Sequence, residues 1–128
     1  MKNGKTCFLI DDDIDDQEIF ALVLKSVNPS IACVVANDGI EAVSKLTKEE
    51  TFNPDYIFLD LNMPRMDGKE CLQEIKKIDR LKETPVIIYS TSSEQKDIIE
   101  TRNLGASDYL EKQSSVAELK KRLAHFFK

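Results

Sequence analysis

The fold is decided by a short apolar segment that leads directly into acidic residues: Cys7-Phe8-Leu9-Ile10-Asp11-Asp12-Asp13. Four consecutive apolar residues without a polar interruption are typical of a strand that is buried on both faces. Similar short apolar runs occur at 31–35, 56–59, 86–89 and 109–110. The sequence therefore predicts five short strands, most of them covered on both sides.

The segments between these runs carry apolar residues at three- and four-residue steps, which is typical of amphipathic helices. Such segments lie at 15–27, 40–46, 71–78, 94–103 and 116–127. Strands that alternate with helices predict an α/β fold whose parallel sheet is covered on both faces. We expect a doubly wound, five-stranded parallel sheet of the flavodoxin-like order 2-1-3-4-5, with five helices.

Length and composition narrow the class of protein. The 128 residues suit one domain, so we expect a single domain over 1–128 with its core at about 5–127 and no output domain. A net charge of −5 argues against direct nucleic-acid binding. Because no apolar run is long enough for a membrane helix and acids follow Ile10 at once, we expect a cytoplasmic protein without membrane insertion.

The three cysteines, Cys7, Cys33 and Cys71, form no C-x-x-C pair and are predicted to be buried thiols.

Polar side chains follow four of the five predicted strands. Asp11 and Asp12 come after the first strand, Asp60 after the third, Ser90 after the fourth and Lys112 after the fifth. Because the carboxyl ends of parallel strands share one edge of a sheet, we expect these groups to lie close together. Adjacent carboxylates repel one another, and Mg²⁺ with its preference for oxygen ligands would neutralise them. The pattern predicts phosphoryl transfer onto Asp60, with the lysine and the hydroxyl binding phosphoryl oxygens.

Each acidic or hydroxyl residue also has a structural explanation when it is taken singly. Asp13, Asp15 and Asp16 are predicted to be charges at a helix N-terminus. Ser92 or Ser93 is predicted to cap the fourth helix. The functional prediction therefore depends on the whole set of strand-end residues rather than on any one of them.

Four segments together carry a family resemblance: 8–13, 59–68, 85–91 and 105–112. Over residues 7–127 the chain resembles response regulator receiver domains, and in particular the stand-alone chemotaxis-type and phytochrome-associated receivers. The resemblance implies two-component signal transduction, in which a histidine kinase or phosphotransfer protein supplies a phosphoryl group. It also implies a protein that catalyses its own phosphorylation and dephosphorylation, and a possible homodimer through the face of helix 4, strand 5 and helix 5.

The resemblance assigns a role to the acidic residues. Asp60 corresponds to the phosphoacceptor. Asp12 corresponds to the direct carboxylate ligand of Mg²⁺ (or Mn²⁺), and Asp11 to its acidic neighbour. Asn62 corresponds to the residue whose backbone carbonyl binds the metal.

The resemblance also assigns the phosphoryl-binding and switch residues. Lys112 and Ser90 correspond to the groups that contact the phosphoryl oxygens, and Ser90 and Tyr109 to the conformational switch. A half-buried strand tyrosine is the structural alternative for Tyr109, and the adjacent Thr91 leaves a one-residue alternative for Ser90. Gln113 stands where the family usually has proline, which is expected to alter the loop that carries Lys112.

Three other functions compete with this interpretation. A Mg²⁺-dependent phosphohydrolase would need a second carboxylate two residues after Asp60, where the chain has Asn62. A receiver-shaped binding module that is never phosphorylated would not require Asp11, Asp12, Asp60 and Lys112 together. Phosphoryl transfer through His125, the single histidine, lacks a supporting acidic cluster, and a place at a helix end explains this residue.

Overall fold

The computed structural model describes residues 5–112 and 115–127, and they form an α/β fold. Five parallel strands have the order β2-β1-β3-β4-β5, which confirms the predicted topology. The strands are β1 (Thr6–Ile10), β2 (Ala32–Ala36), β3 (Tyr56–Leu59), β4 (Val86–Ser90) and β5 (Asp108–Glu111). The helices are α1 (Ile14–Val27), α2 (Gly39–Lys48), α3 (Gly68–Lys76), α4 (Gln95–Asn103) and α5 (Val116–Phe126). Within the described residues no helix has both the length and the apolar character that crossing a membrane requires.

Two apolar cores lie on opposite faces of the sheet. Successive strand residues point to opposite faces, so Phe8 and Ile10 join one core while Cys7 and Leu9 join the other. The first core packs against α2 and α3, and the second against α1 and α5. Burial on both faces explains why the central strands are continuously apolar in sequence.

Small shifts separate the predicted elements from the observed ones. β2 begins and ends one residue later than predicted, because the Ile31 backbone N–H donates to the Asn28 carbonyl oxygen in the preceding turn and the pairing with β1 starts at Ala32. α3 ends at Lys76 rather than Ile78, since a short 3₁₀ helix follows at Asp79–Leu81. These shifts leave the strand ends that carry the polar residues in place.

Helix capping fixes the loops at the carboxyl edge of the sheet. Four helices, α1, α2, α3 and α5, have a side chain that accepts a hydrogen bond from the backbone N–H three residues later: Asp13, Asp38, Asp67 and Ser115. α4 differs, because its N-cap residue Glu94 makes no side-chain cap hydrogen bond. The prediction that Ser92 or Ser93 caps α4 is therefore wrong.

All three cysteines are free thiols. Cys7 and Cys71 are buried and Cys33 is half-buried. Burial raises the pKa of Cys33 to about 11 and that of Cys71 to about 12. Since the thiolate is the reactive form, all three are unreactive thiols at neutral pH. The prediction of buried thiols is confirmed for Cys7 and Cys71, whereas Cys33 is only half-buried.

Candidate functional site

Three carboxylates meet at the carboxyl edge of the sheet. Asp11 follows β1 and Asp60 follows β3, and the backbone N–H of Asp60 donates to the Ile10 carbonyl oxygen at 2.9 Å. This bond continues the β1–β3 pairing by one residue and brings the two acids side by side. Carboxylate oxygens of Asp11, Asp12 and Asp60 lie within 4.8 Å of one another. The three acidic strand-end residues that the sequence predicted to converge thus lie together.

The cluster is buried at its base and open at its top. Asp11 is fully buried and Asp60 is 5% exposed, whereas Asp12 is exposed. Backbone N–H groups support the two buried acids, because Asp13 donates to Asp11 Oδ1 at 2.9 Å and Asn62 donates to Asp60 Oδ1 at 3.3 Å. Burial raises the pKa of Asp60 to about 6, although the charge of Lys112 acts in the opposite direction. Burial also raises the pKa of Asp11.

Lys112 enters the cluster from the end of β5. Its Nζ lies 2.9 Å from Asp11 Oδ2, 2.8 Å from Asp16 Oδ2 and 3.7 Å from Asp60 Oδ2. The ammonium also lies 5.3 Å from the centroid of the Tyr89 ring, within the range of a cation–π contact. Burial alone would lower the pKa of Lys112, but the hydrogen bond to Asp16 and the negative charge of Asp11 hold it above its usual value. This lysine is therefore a cation in the site.

Asp16 is the residue that sequence reasoning missed. The sequence placed it, like Asp15, among charges at a helix N-terminus, and Asp15 is exposed as expected. Asp16 instead forms an ion pair with Lys112, 96 residues away in sequence. The available signal was its place in the first turn of the helix that follows the acidic triplet, since that turn lies at the same edge of the sheet.

Ser90 and Tyr109 are linked through Ser92 in the β4–α4 loop. Ser90 is buried, and its Oγ accepts a hydrogen bond from the Ser92 backbone N–H at 3.2 Å. The half-buried Tyr109 donates its hydroxyl to the Ser92 carbonyl oxygen at 2.8 Å. Ser92 Oγ donates to Asp97 Oδ2 at 2.7 Å, and Lys69 Nζ donates to Asp97 Oδ1 at 2.8 Å. Ser92 thus joins both predicted switch residues to α4 and α3.

The loop between β3 and α3 closes tightly beneath Asp60. The Gly68 backbone N–H donates to the Leu61 carbonyl oxygen at 2.9 Å. A Cβ at Gly68 would lie 2.3 Å from the Asp60 carbonyl oxygen and 2.5 Å from Leu61 Cα, so a side chain cannot fit there. Asn62, which carries the predicted carbonyl ligand, is exposed on this loop.

The donor set of the cluster fits a hard divalent cation. It consists of carboxylate oxygens, which Mg²⁺ and Mn²⁺ prefer over nitrogen or sulfur ligands. Asp11 Oδ2 is buried and accepts no hydrogen bond with good geometry in the described part of the chain, although Lys112 Nζ is close. Three carboxylates beside a single contacting lysine leave an excess of negative charge that a divalent cation would offset.

Two other residues were singled out in the sequence, His125 and Gln113. His125 lies exposed in the last turn of α5, where its ring contacts the Phe126 ring at 5.6 Å between centroids. Gln113 and its peptide bond to Lys112 lie outside the described residues. The prediction for the loop after Lys112 therefore stays a prediction.

Comparison with known proteins gives one consistent result. A model of the response regulator receiver domain matches residues 7–124. Response regulator Rcp1 from Synechocystis sp. is 32% identical over 119 residues, which are 90% of this chain and 81% of Rcp1. The structure of the phosphorylated cyanobacterial phytochrome response regulator RcpA matches with a TM-score of 0.88 at 31% identity, over 96% of this chain and 91% of RcpA. The structure of the Mn²⁺-bound form of Rcp1 matches with a TM-score of 0.84 at 32% identity, over 95% of this chain and 91% of that one.

Proposed function

The chain belongs to the family of response regulator receiver domains of two-component systems, and we propose that it accepts a phosphoryl group on Asp60. The donor in this proposal is the phosphohistidine of a histidine kinase or of a phosphotransfer protein. One observation carries the proposal: Asp60 lies within 4.8 Å of two other carboxylates and has the Lys112 ammonium 3.7 Å away. We place the reaction in the cytoplasm, because histidine kinases take their phosphoryl group from ATP.

Asp60 is the nucleophile of the proposed reaction. A carboxylate oxygen of Asp60 attacks phosphorus in line with the P–N bond of the donor, and that bond breaks as the new P–O bond forms. The donor ring carries a proton on its other nitrogen, so it leaves with the bonding electron pair as neutral imidazole. The ionised form of Asp60 is required, and a pKa of about 6 leaves it ionised at neutral pH.

Lys112 and Ser90 act on the transferring group. The transition state of phosphoryl transfer is loose, with negative charge spread over three equatorial oxygens. The Lys112 ammonium offsets part of that charge, and the low exposure of its side chain, 10%, strengthens the interaction relative to one in open water. The Ser90 hydroxyl, at the end of β4, donates a hydrogen bond to a phosphoryl oxygen.

Asp11, Asp12, Asp60 and the backbone carbonyl of Asn62 would hold Mg²⁺ (or Mn²⁺). When bound, the cation neutralises carboxylate and phosphoryl oxygens that would otherwise repel each other. Backbone N–H groups hold the carboxylates of Asp11 and Asp60 in place for this role. Asp12, the third carboxylate ligand, is exposed to solvent.

Phosphorylation is expected to change the face formed by α4, β5 and α5. As Ser90 turns toward the phosphoryl group, its hydrogen bond from Ser92 is lost, and Ser92 is the acceptor of the Tyr109 hydroxyl. The change at Asp60 would thus reach Tyr109 on β5 and shift a two-state equilibrium of this face. A partner protein, or a second copy of the chain, would detect the change there.

The proposed cycle consumes and restores Asp60, so the domain is not an enzyme in the usual sense. Water hydrolyses the acyl phosphate and returns the carboxylate. A phosphohydrolase that acts on external substrates would place an acid two residues after the nucleophile, and the exposed Asn62 stands there.

The test is intact mass spectrometry of the full chain after incubation with Mg²⁺ and phosphoramidate. We expect one phosphoryl adduct that is labile to base, requires Mg²⁺ and is lost in Asp60→Asn. Replacing the exposed His125 with alanine is the matched control and should leave the adduct intact. An adduct that persists in Asp60→Asn, or no adduct under conditions that label a control receiver, would overturn the proposal.

A further inference from the structure

We propose that Asp16 is a positioning residue that competes with the transferring phosphoryl group for the ammonium of Lys112. This proposal rests on the proposed function of Asp60. In the structure the ammonium lies 2.8 Å from Asp16 Oδ2 and 3.7 Å from Asp60 Oδ2. Lys112 is therefore held on the α1 side of the acidic cluster, nearer to Asp16 than to Asp60, so a phosphoryl group on Asp60 competes with Asp16 for its ammonium.

Asp16 cannot follow the lysine into the site. It lies in the first turn of α1, and its backbone N–H donates to Asp13 Oδ1, the cap of that helix, at 3.1 Å. Gln17, the next residue, donates its side-chain amide to the Asp11 carbonyl oxygen at 2.6 Å. These bonds fix the backbone at the start of α1 against the end of β1, so the Asp16 carboxylate can move only by rotation of its short side chain.

The negative charge of Asp16 also opposes phosphorylation of Asp60. Four carboxylates lie around Lys112 or Asp60, namely Asp11, Asp12, Asp16 and Asp60. Conversion of the Asp60 carboxylate to an acyl phosphate adds about one-half to one further negative charge to this group, since a phosphate ester carries about −1.5 to −2 at pH 7 and the carboxylate carries −1. Asp16 opposes that gain of charge, because its side chain is two-thirds buried and weakly screened from the site. Removing the Asp16 charge should therefore favour phosphorylation.

The test compares two neighbouring aspartates. Asp16→Asn keeps the shape of the side chain and removes the charge that holds Lys112. Asp15→Asn removes the same charge one residue earlier, from an exposed side chain in the same helical turn. The readout is the initial rate at which each full-length variant is phosphorylated by limiting phosphoramidate with Mg²⁺, followed by intact mass spectrometry.

We expect Asp16→Asn to be phosphorylated about five times faster than the wild type, the factor that corresponds to loss of an ion pair worth about 1 kcal/mol. Asp15→Asn should stay within about twofold of the wild-type rate, since distant exposed charges are screened. Asp16→Glu keeps the charge and should keep the wild-type rate. In urea unfolding without phosphoramidate, the free energy of unfolding of Asp16→Asn should not exceed that of the wild type. A faster phosphorylation rate then cannot be attributed to higher stability.

Asp16→Ala is a second neutral variant with high helix propensity and should show the same increase, which keeps the test open if the asparagine variant folds poorly. A rate for the folded neutral variants that equals or falls below that of Asp15→Asn would overturn the proposal. The two failures are distinguishable. If the wild type is phosphorylated and Asp60→Asn is not, a missing increase refutes the role of Asp16 alone; if the wild type takes no adduct, the proposed function fails and this proposal fails with it.

Discussion

Replacing Asp60 with asparagine is expected to stabilise the protein at pH 7.5 when divalent metal is removed with EDTA. The structure places this carboxylate in a buried position beside Asp11, and burial raises its pKa from 3.8 to about 6. A pKa raised from 3.8 to about 6 corresponds to about 3 kcal/mol of unfavourable free energy for the ionised form. Asparagine removes the charge but also weakens the hydrogen bond from the Asn62 N–H, so the expected net gain is about 1–3 kcal/mol.

The pH dependence has a definite sign. Because the folded-state pKa of Asp60 lies above the unfolded-state value, the folded protein binds the proton more tightly. The contribution of Asp60 to the free energy of unfolding of the wild type therefore rises as the pH falls from 7 through about 6 toward 4. The asparagine variant lacks this contribution of Asp60. The difference in free energy of unfolding between the variant and the wild type should be largest above pH 7, shrink through pH 6 and disappear near pH 4.

Urea unfolding followed by circular dichroism measures this advantage directly at each pH. The control is Asp79→Asn, which removes one charge from a side chain that is 91% exposed in the 3₁₀ helix. That change should alter the free energy of unfolding by less than about 0.5 kcal/mol. An Asp60→Asn variant that is equal or inferior in stability to the wild type at pH 7.5 in EDTA would refute the assignment of a costly buried charge to Asp60.

Three further predictions concern the site and its surroundings. Millimolar Mg²⁺ should raise the urea midpoint of the wild type, because a ligand that binds the folded state stabilises it. The increase should be smaller for Asp12→Asn, and equal increases would contradict the role of Asp12 as a ligand. Gly68→Ala should cost about 1–3 kcal/mol in urea unfolding, because a Cβ there meets the Asp60 carbonyl oxygen at 2.3 Å, and an unchanged midpoint would contradict that contact. Tyr109→Phe should lose about 1 kcal/mol with its hydrogen bond to Ser92 and still be phosphorylated at Asp60, so loss of the adduct would show that this hydroxyl acts in the chemistry.

The fold and the acidic cluster were predictable because they depend on local pattern. β3 occupies Tyr56–Leu59, the predicted range, since a run of apolar residues bounded by polar ones has little freedom in where it enters the core. Asp60 follows from that boundary, and Asp11 and Asp12 follow from the end of β1 in the same way. The parallel order of the strands then brings these three residues together without any further information.

The contact of Asp16 with Lys112 and that of Ser92 with Tyr109 were not predictable, because they join residues 96 and 17 positions apart in sequence. Helix position alone makes Asp16 an ordinary N-terminal charge, and only the path of β5 brings Lys112 within 2.8 Å of it. Serine is a residue type that often caps helices. The Ser92 hydroxyl instead donates to Asp97, and the Ser92 carbonyl oxygen accepts from Tyr109. α4 therefore begins at Gln95 without the predicted serine cap.

The central claim, that Asp60 is the residue which receives the phosphoryl group, has a direct chemical test. Sodium borohydride reduces an aspartyl phosphate to homoserine, which marks the modified position permanently. After incubation of the full chain with Mg²⁺ and phosphoramidate, we predict homoserine at position 60 in peptide fragments sequenced by mass spectrometry. Homoserine at position 11 or 12, or a phosphoryl group on Ser90 or His125 with position 60 unchanged, would contradict the account.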